Sequence, residues 1–157
     1  MSGGSINHEL LTCFDYAKDT PTAATFVQQQ SKILPEAFES LFHSFSEINN
    51  PHKTYKNFRI LAVDGSVLHI PTNPKDTDSY FAKINEQRPY NLLHLNALYD
   101  VCSKVYTDTI IQKSRVSNEN QALIDMVDRD KNTSSTLILA DRGYESYNAL
   151  AHIQEKG

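Results

Sequence analysis

Arg59-Ile60-Leu61-Ala62-Val63-Asp64 and Thr136-Leu137-Ile138-Leu139-Ala140-Asp141 are two short apolar runs, and each ends in an aspartate. A nearly continuous apolar run of this length is the pattern of a strand buried on both faces. An aspartate at the carboxyl end of such a strand stands where open α/β sheets place their ligand sites. The two aspartates are 141 − 64 = 77 residues apart, so they converge only if the last strand lies beside the first. Hard carboxylate oxygens held in this way suit Mg²⁺ or Mn²⁺, which keep several waters and take their remaining ligands from a phosphate substrate. The chemistry implied is phosphoryl transfer. Two plainer readings also fit: Asp64-Gly65 fills a type I′ hairpin turn, and Asp141 opens a tight strand-to-helix turn.

Between the two runs, Leu92 to Tyr99 puts Leu93, Leu95, Ala97 and Tyr99 on one face at period two, with His94 and Asn96 on the other. Val105 to Ile111 follows after a polar link around Ser103, and the pair reads as an antiparallel hairpin. Asn118 and Gln121 form a capping-box pattern that opens a helix, with Ala122, Leu123, Met126 and Val127 as its buried stripe and Asp125, Asp128 and Arg129 outside. A last helix runs from Ser146 to about Gln154 and carries Leu150 and Ile153. The other acidic residues have plain explanations. Asp76, Asp78, Asp100 and Asp108 read as solvated loop residues, Asp128 and Asp130 lie at a helix end, and Glu119 in a first helical turn suits the helix dipole.

Upstream, from Ile6 to about Asn50, the pattern is helical, punctuated by Thr20-Pro21 and Leu34-Pro35, where each proline suits a first helical turn. Phe38, Leu41, Phe42 and Phe45 fall at i, i+3, i+4 and i+7, which predicts a packed helix; Ala23 to Ile33 predicts a shorter one whose Gln28-Gln29-Gln30 and Lys32 side suits solvent, the plainer reading, or a nucleic-acid backbone. Asn49-Asn50-Pro51-His52 breaks this region. The fold class expected is therefore α/β: a helical region over residues 1–57, then a mixed sheet with its helices over 58–157.

The 157 residues make about one domain by the usual prior, and 39% hydrophobic with 22% charged residues is the composition of a globular chain. The balance of 15 Lys+Arg against 19 Asp+Glu, net −4, excludes a polycation that coats nucleic acid by bulk charge. Neither part is a basic patch, since residues 1–57 hold 4 basic and 6 acidic residues and 58–157 hold 11 and 13. Cys13 and Cys102 stand apart without zinc-site spacing and are expected as buried thiols. Met1-Ser2-Gly3-Gly4-Ser5 has the marks of neither a signal peptide nor a membrane anchor, so a cytoplasmic setting is expected and the sequon Asn132-Thr133-Ser134 carries no weight.

Ala62-Val63-Asp64-Gly65-Ser66, Asn118-Glu119-Asn120-Gln121-Ala122-Leu123 and Ala140-Asp141-Arg142-Gly143-Tyr144, in this order and spacing, resemble the DDE transposases of bacterial insertion sequences, specifically the insertion-sequence-4 group. Ala24 to Ile33 resembles the segment that precedes their catalytic core, so the resemblance covers nearly the whole chain. It implies a ribonuclease-H-like core: three antiparallel strands, a helix, then a strand parallel to the first. It also implies that Asp64 and Asp141, with a later Glu, bind two divalent metals, Mg²⁺ or Mn²⁺. One ion activates water or a DNA 3′ hydroxyl and the other stabilises the leaving oxygen. The implied partners are transposon-end DNA, met by Arg142 at a phosphate and by Lys104, Lys113 and Arg115, and a second copy in a homodimer. The implied setting is the bacterial cytoplasm, at the nucleoid when DNA is bound, with no membrane partner.

One part of the family pattern is missing. The third carboxylate belongs to a Tyr-x-x-Arg-x-x-x-Glu-x-x-x-x-x-x-Lys signature, and no tyrosine here begins one. Glu145 and Glu155 follow Asp141 too closely to be that residue. The expectation is an incomplete, truncated core that does not transpose alone. Two other readings stay open: a non-catalytic DNA-binding or assembly remnant, and an unrelated metal-dependent nuclease using Asp64 and Asp141 with another ligand such as Glu119.

Overall fold

The computed structural model describes residues 4–49, 53–83, 88–131 and 135–156. The sequon at 132–134 and most of the 49–52 break lie outside them. The chain divides into two compact units, Met1–Phe42 and His43–Gly157.

In the first unit, α1 (Ile6–Cys13) is capped by Ser5, whose hydroxyl accepts from the His8 amide, and α2 (Ala23–Gln30) is capped in the same way by Thr22. Pro21 therefore precedes the cap instead of occupying the first turn. The helix α3 (Pro35–Asn49) does open on its proline, and it runs from the first unit into the second. Its aromatic stripe is not packed as expected: Phe38, Leu41 and Phe45 are each more than half exposed. The buried position is Ser46, within the second unit, whose hydroxyl donates to the Tyr106 carbonyl at 2.8 Å. The thiols also differ from expectation, since Cys13 is exposed at the end of α1 and Cys102 is half-buried in a turn.

The second unit is a five-stranded mixed sheet with helices, consistent with part of a ribonuclease-H-like core. Its first strand, β1 (Arg59–Ile70), runs straight through Asp64-Gly65, which removes the hairpin-turn reading and puts Asp64 mid-strand. The short β2 (Tyr80–Phe81) and the long β4 (Val105–Lys113) pair antiparallel with β3 (Tyr90–Asp100), which pairs antiparallel with β1. The turn between β3 and β4 is closed by Lys104 at a φ of 61°. The helix α4 (Glu119–Arg129) has the expected cap, Asn118 Oδ1 accepting from the Gln121 amide at 3.0 Å, but the Gln121 side chain bonds Asp125 instead of reaching back. Then β5 (Thr136–Leu139) pairs parallel with β1, and α5 (Tyr147–Lys156) follows a single 3₁₀ turn at Arg142–Tyr144.

Leu61, Val63 and Leu98 on one sheet face meet Leu123, Met126 and Val127 of α4, with Tyr144 completing the cluster and Ile138 and Ile153 packed against it. Burial of β1 and β5 is consequently one-sided: Leu137 and Leu139 are about half exposed, contrary to strands buried on both faces, because α4 and α5 share the Leu61/Val63 side. Along β3 the polar set is the covered one, with His94, Asn96 and Asp100 buried while Leu93, Leu95 and Tyr99 are half-exposed. In the last helix the buried residue is Ala149, and Leu150 faces out.

Two aspartates expected in solvent are buried. Asp108 pairs with Arg129 at 3.0 Å, and Asp100 is fully inaccessible, accepting from Arg59 Nε at 3.3 Å and the Ser103 amide at 2.8 Å. Arg59 also reaches Asp130 at 2.5 Å, tying the start of β1 to the end of β3 and of α4. Removing one partner of a buried pair leaves the other charge without compensation. Arg59→Ala is therefore expected to lower the unfolding free energy by about 3 to 5 kcal/mol, read from urea titrations of the full chain.

Candidate metal centre

The pairing of β1 with β5 runs Arg59↔Thr136 to Ala62↔Leu139, and its offset, 136 − 59 = 77, is the spacing of the two aspartates. Carried two residues further, this register sets Asp64 level with Asp141. Because β5 stops at Leu139, β1 loses its parallel neighbour just before Asp64, and that side chain stands exposed at an opened edge. Asp141 ends the strand and caps the 3₁₀ turn, its Oδ1 accepting from the Gly143 amide at 2.8 Å. Asp64 Oδ1 likewise accepts from the Gly65 amide at 2.8 Å. Among the described residues the second oxygen of each takes no hydrogen bond, and neither carboxylate forms an ion pair.

A third acidic residue comes close. Glu119, in the first turn of α4, lies with Oε1 2.9 Å from Nε2 of His94, which reaches up from β3. The room for this pair is made by Gly65: a Cβ there would stand 2.7 Å from His94 Nε2 and 3.2 Å from Glu119 Oε1. Beneath them Tyr144 is 5% exposed, and its hydroxyl has no hydrogen-bond partner. Burial first, then the charges of Glu119, Asp64 and Asp141, push its ionisation up to about 12, so it stays a neutral donor. The donor set is thus two outward carboxylates backed by a third, with an orphaned hydroxyl among them. That concentration of hard oxygen and negative charge is of the chemistry that suits a divalent cation, for which Asp64 and Asp141 would be the ligands and water would complete the shell. Among the described residues no three His, Cys, Asp or Glu side chains converge tightly enough to cage an ion directly.

The four basic residues expected at DNA are not brought together. Arg142 is exposed beside Asp141. Lys104 sits in the β3–β4 turn, beyond the Asp100 end of the hairpin, whereas Lys113 pairs with Leu93 at the other end. Asp64 pairs with Ala97 between them, four residues from Leu93, roughly 13 Å at the rise of a strand. Lys113 is held by Asp76 at 2.7 Å, and Arg115 donates to the Tyr80 carbonyl at 3.1 Å and lies over the Phe81 ring.

A family model described as a transposase DDE domain matches residues 55–157, about two thirds of the chain. The chain belongs to this family. No curated protein and no solved structure gives a significant match. The match spans all five strands, α4 and α5, so both aspartates, Glu119 and Tyr144 fall inside the DDE domain. No helix among the described residues is long and apolar enough to cross a membrane.

His94 carried only a weak signal in the sequence, a polar residue at period two on a strand with Asn96, and nothing there linked it to Glu119. If Asp64 and Asp141 serve a ligand and not the fold, their neutral analogues leave stability intact. Asp64→Asn and Asp141→Asn are each expected to unfold within about 0.5 kcal/mol of the parent or to be more stable, in contrast to Arg59→Ala. Asp76 behaves differently. Hydrogen bonds from Lys113 and Ser79 hold its carboxyl below the ordinary 3.8, so its contribution is complete above that pH and lost as pH falls through the lowered value. Asp76→Asn is expected to flatten the acid-side decline in stability, measured by urea unfolding as a function of pH.

Proposed function

We propose that this DDE-domain chain derives from an insertion-sequence-4-type transposase, and that Asp64 and Asp141 are its metal-holding catalytic carboxylates for cleaving and joining DNA strands. The observation that carries this is the parallel β1–β5 register, which sets the two aspartates level at an open strand edge. Asp64 and Asp141 would hold Mg²⁺ or Mn²⁺, which would supply Lewis-acid activation of a water or a DNA 3′ hydroxyl and charge stabilisation for the leaving oxygen. Asp64 and Asp141 orient their outer oxygens because backbone amides fix the inner ones. Arg142, exposed next to Asp141, meets a phosphate of the strand; Lys104 contacts the backbone further along, and Lys113 and Arg115 join once released from their present partners. Transposon-end DNA is the substrate and a second copy the partner in the working assembly. Residues 58–157 form the catalytic part and 1–57 its helical companion, acting at the nucleoid of a bacterial cytoplasm.

This chain alone is expected not to cleave or join DNA. Two carboxylates hold one shared ion, whereas two-ion catalysis needs both ions fixed, and the sequence contains no Tyr-x-x-Arg-x-x-x-Glu signature to supply the further acid. Loose binding of metal and DNA stabilises substrate and transition state alike, which does not raise the chemical rate.

Calorimetric titration with Mn²⁺ is expected to show weak binding that Asp64→Asn or Asp141→Asn abolishes. Equal binding by both variants and the parent would place the ions elsewhere and end the proposal. Incubating the chain with labelled transposon-end duplex and Mn²⁺ is expected to give no nicks. Metal-dependent nicking that disappears in Asp64→Ala would overturn the inactivity and favour a nuclease that works with the acids present.

A further inference from the structure

We infer that Glu119 is the third acidic group of this metal site, acting on the ion through its bound water, and that His94, Gly65 and Tyr144 are arranged to present it. The inference rests on the metal reading of Asp64 and Asp141. Glu119 opens α4, the helix whose buried face forms the core against β1 and β3, so its position relative to Asp64 is set by that packing. Direct ligation by all three carboxylates is not what the side chains provide, because no three of them converge within one coordination shell. Mg²⁺ and Mn²⁺ keep several waters when held by two carboxylates, and those waters are donors that need acceptors. An anionic oxygen just behind the first carboxylates is such an acceptor.

Two buried polar atoms beside it have no hydrogen-bond partner. The Tyr144 hydroxyl is buried with no partner, and His94 Nε2, although 2.9 Å from Glu119 Oε1, lacks the alignment of a ring hydrogen bond and is unsatisfied as well. A buried polar group without a partner is costly, and the water shell of a bound ion would supply partners to two of them next to one carboxylate. Gly65 fits the same account. It follows Asp64 directly, and any side chain there would occupy the space that His94 and Glu119 share. A purely structural role for the pair, fastening α4 to β3, leaves the two orphaned atoms unexplained.

The experiment is Mn²⁺ titration of the full chain by calorimetry, with circular-dichroism melting of each variant. Glu119→Gln keeps size and hydrogen bonding but loses the charge, and it is expected to weaken Mn²⁺ binding about tenfold, as loss of an outer-shell carboxylate does. Gly65→Ala displaces the pair without removing any carboxylate and is expected to weaken binding similarly, which keeps the test available should Glu119→Gln melt early. Glu155→Gln, at the exposed end of α5, is expected to bind as the parent does. Parent-like affinity in a folded Glu119→Gln, alongside loss in Asp64→Asn and Asp141→Asn, would overturn this inference and leave the two-aspartate reading standing. Parent-like affinity in Asp64→Asn and Asp141→Asn would instead remove that reading and this inference with it.

Discussion

The parallel pairing of β1 with β5 is the constraint on which everything else in the second unit depends. Four residue pairs, from Arg59↔Thr136 to Ala62↔Leu139, fix an offset of 77 residues. A one-residue slip would turn every side chain of β5 to the other face, exposing Ile138, which packs on the core, and moving Asp141 out of level with Asp64. Parallel strands cannot be joined by a tight turn, so the crossover through β3, β4 and α4 is part of the same constraint. The helix it contains fills the Leu61/Val63 face and delivers Glu119 to the neighbourhood of Gly65.

Strand pairing alone is not enough to hold the crossover in place. The buried Arg59–Asp100–Asp130 arrangement joins the first residue of β1, the last of β3 and the residue after α4. These three points are where the chain enters the sheet, turns, and leaves the helix for β5. Burying charges is costly, and a well-packed apolar cluster would be as stable or more so. The physical effect of the ionic version is directional: a guanidinium with two carboxylates tolerates one geometry, so it fixes the ends of the three elements relative to one another. Hydrophobic packing around Met126 then supplies burial without having to specify register.

Most of this architecture was legible in the sequence because its signals are local. The alternation in Leu92–Tyr99, the Asn118 cap and the apolar stripe of α4 each reflect a single element's periodicity, and each element forms where it was read. What could not be read is how much of each face is covered. Leu137 and Leu139 look like core residues by composition but lie opposite the side that α4 and α5 occupy, and the α3 stripe is exposed although its spacing is that of a packed helix. Buried charge failed for the same reason. Asp100 and Asp108 sit among polar neighbours in sequence, and only tertiary contact with Arg59 and Arg129 reveals why they are inside. At the site, the two aspartates announced themselves by ending apolar runs, although Asp64 proved to be mid-strand. Asp64 is exposed because β5 is shorter than β1, a property of the pair that neither strand carries alone.

Along β1 the residues that hold the fold and the proposed metal-site residues are separated by position. Arg59, Leu61 and Val63 face inward and are nearly inaccessible, whereas Asp64 is exposed and Gly65, lacking a side chain, lets His94 and Glu119 approach. This separation allows like charges to gather at Asp64, Asp141 and Glu119, because the strands and the core supply the stabilisation that their mutual repulsion removes. It also accounts for the neutral Tyr144 at their centre. Its ring belongs to the core cluster, while its hydroxyl is close enough to the three carboxylates for their charges to raise its ionisation. A charged residue in its place would either be buried unpaired or neutralise the carboxylates that a cation needs.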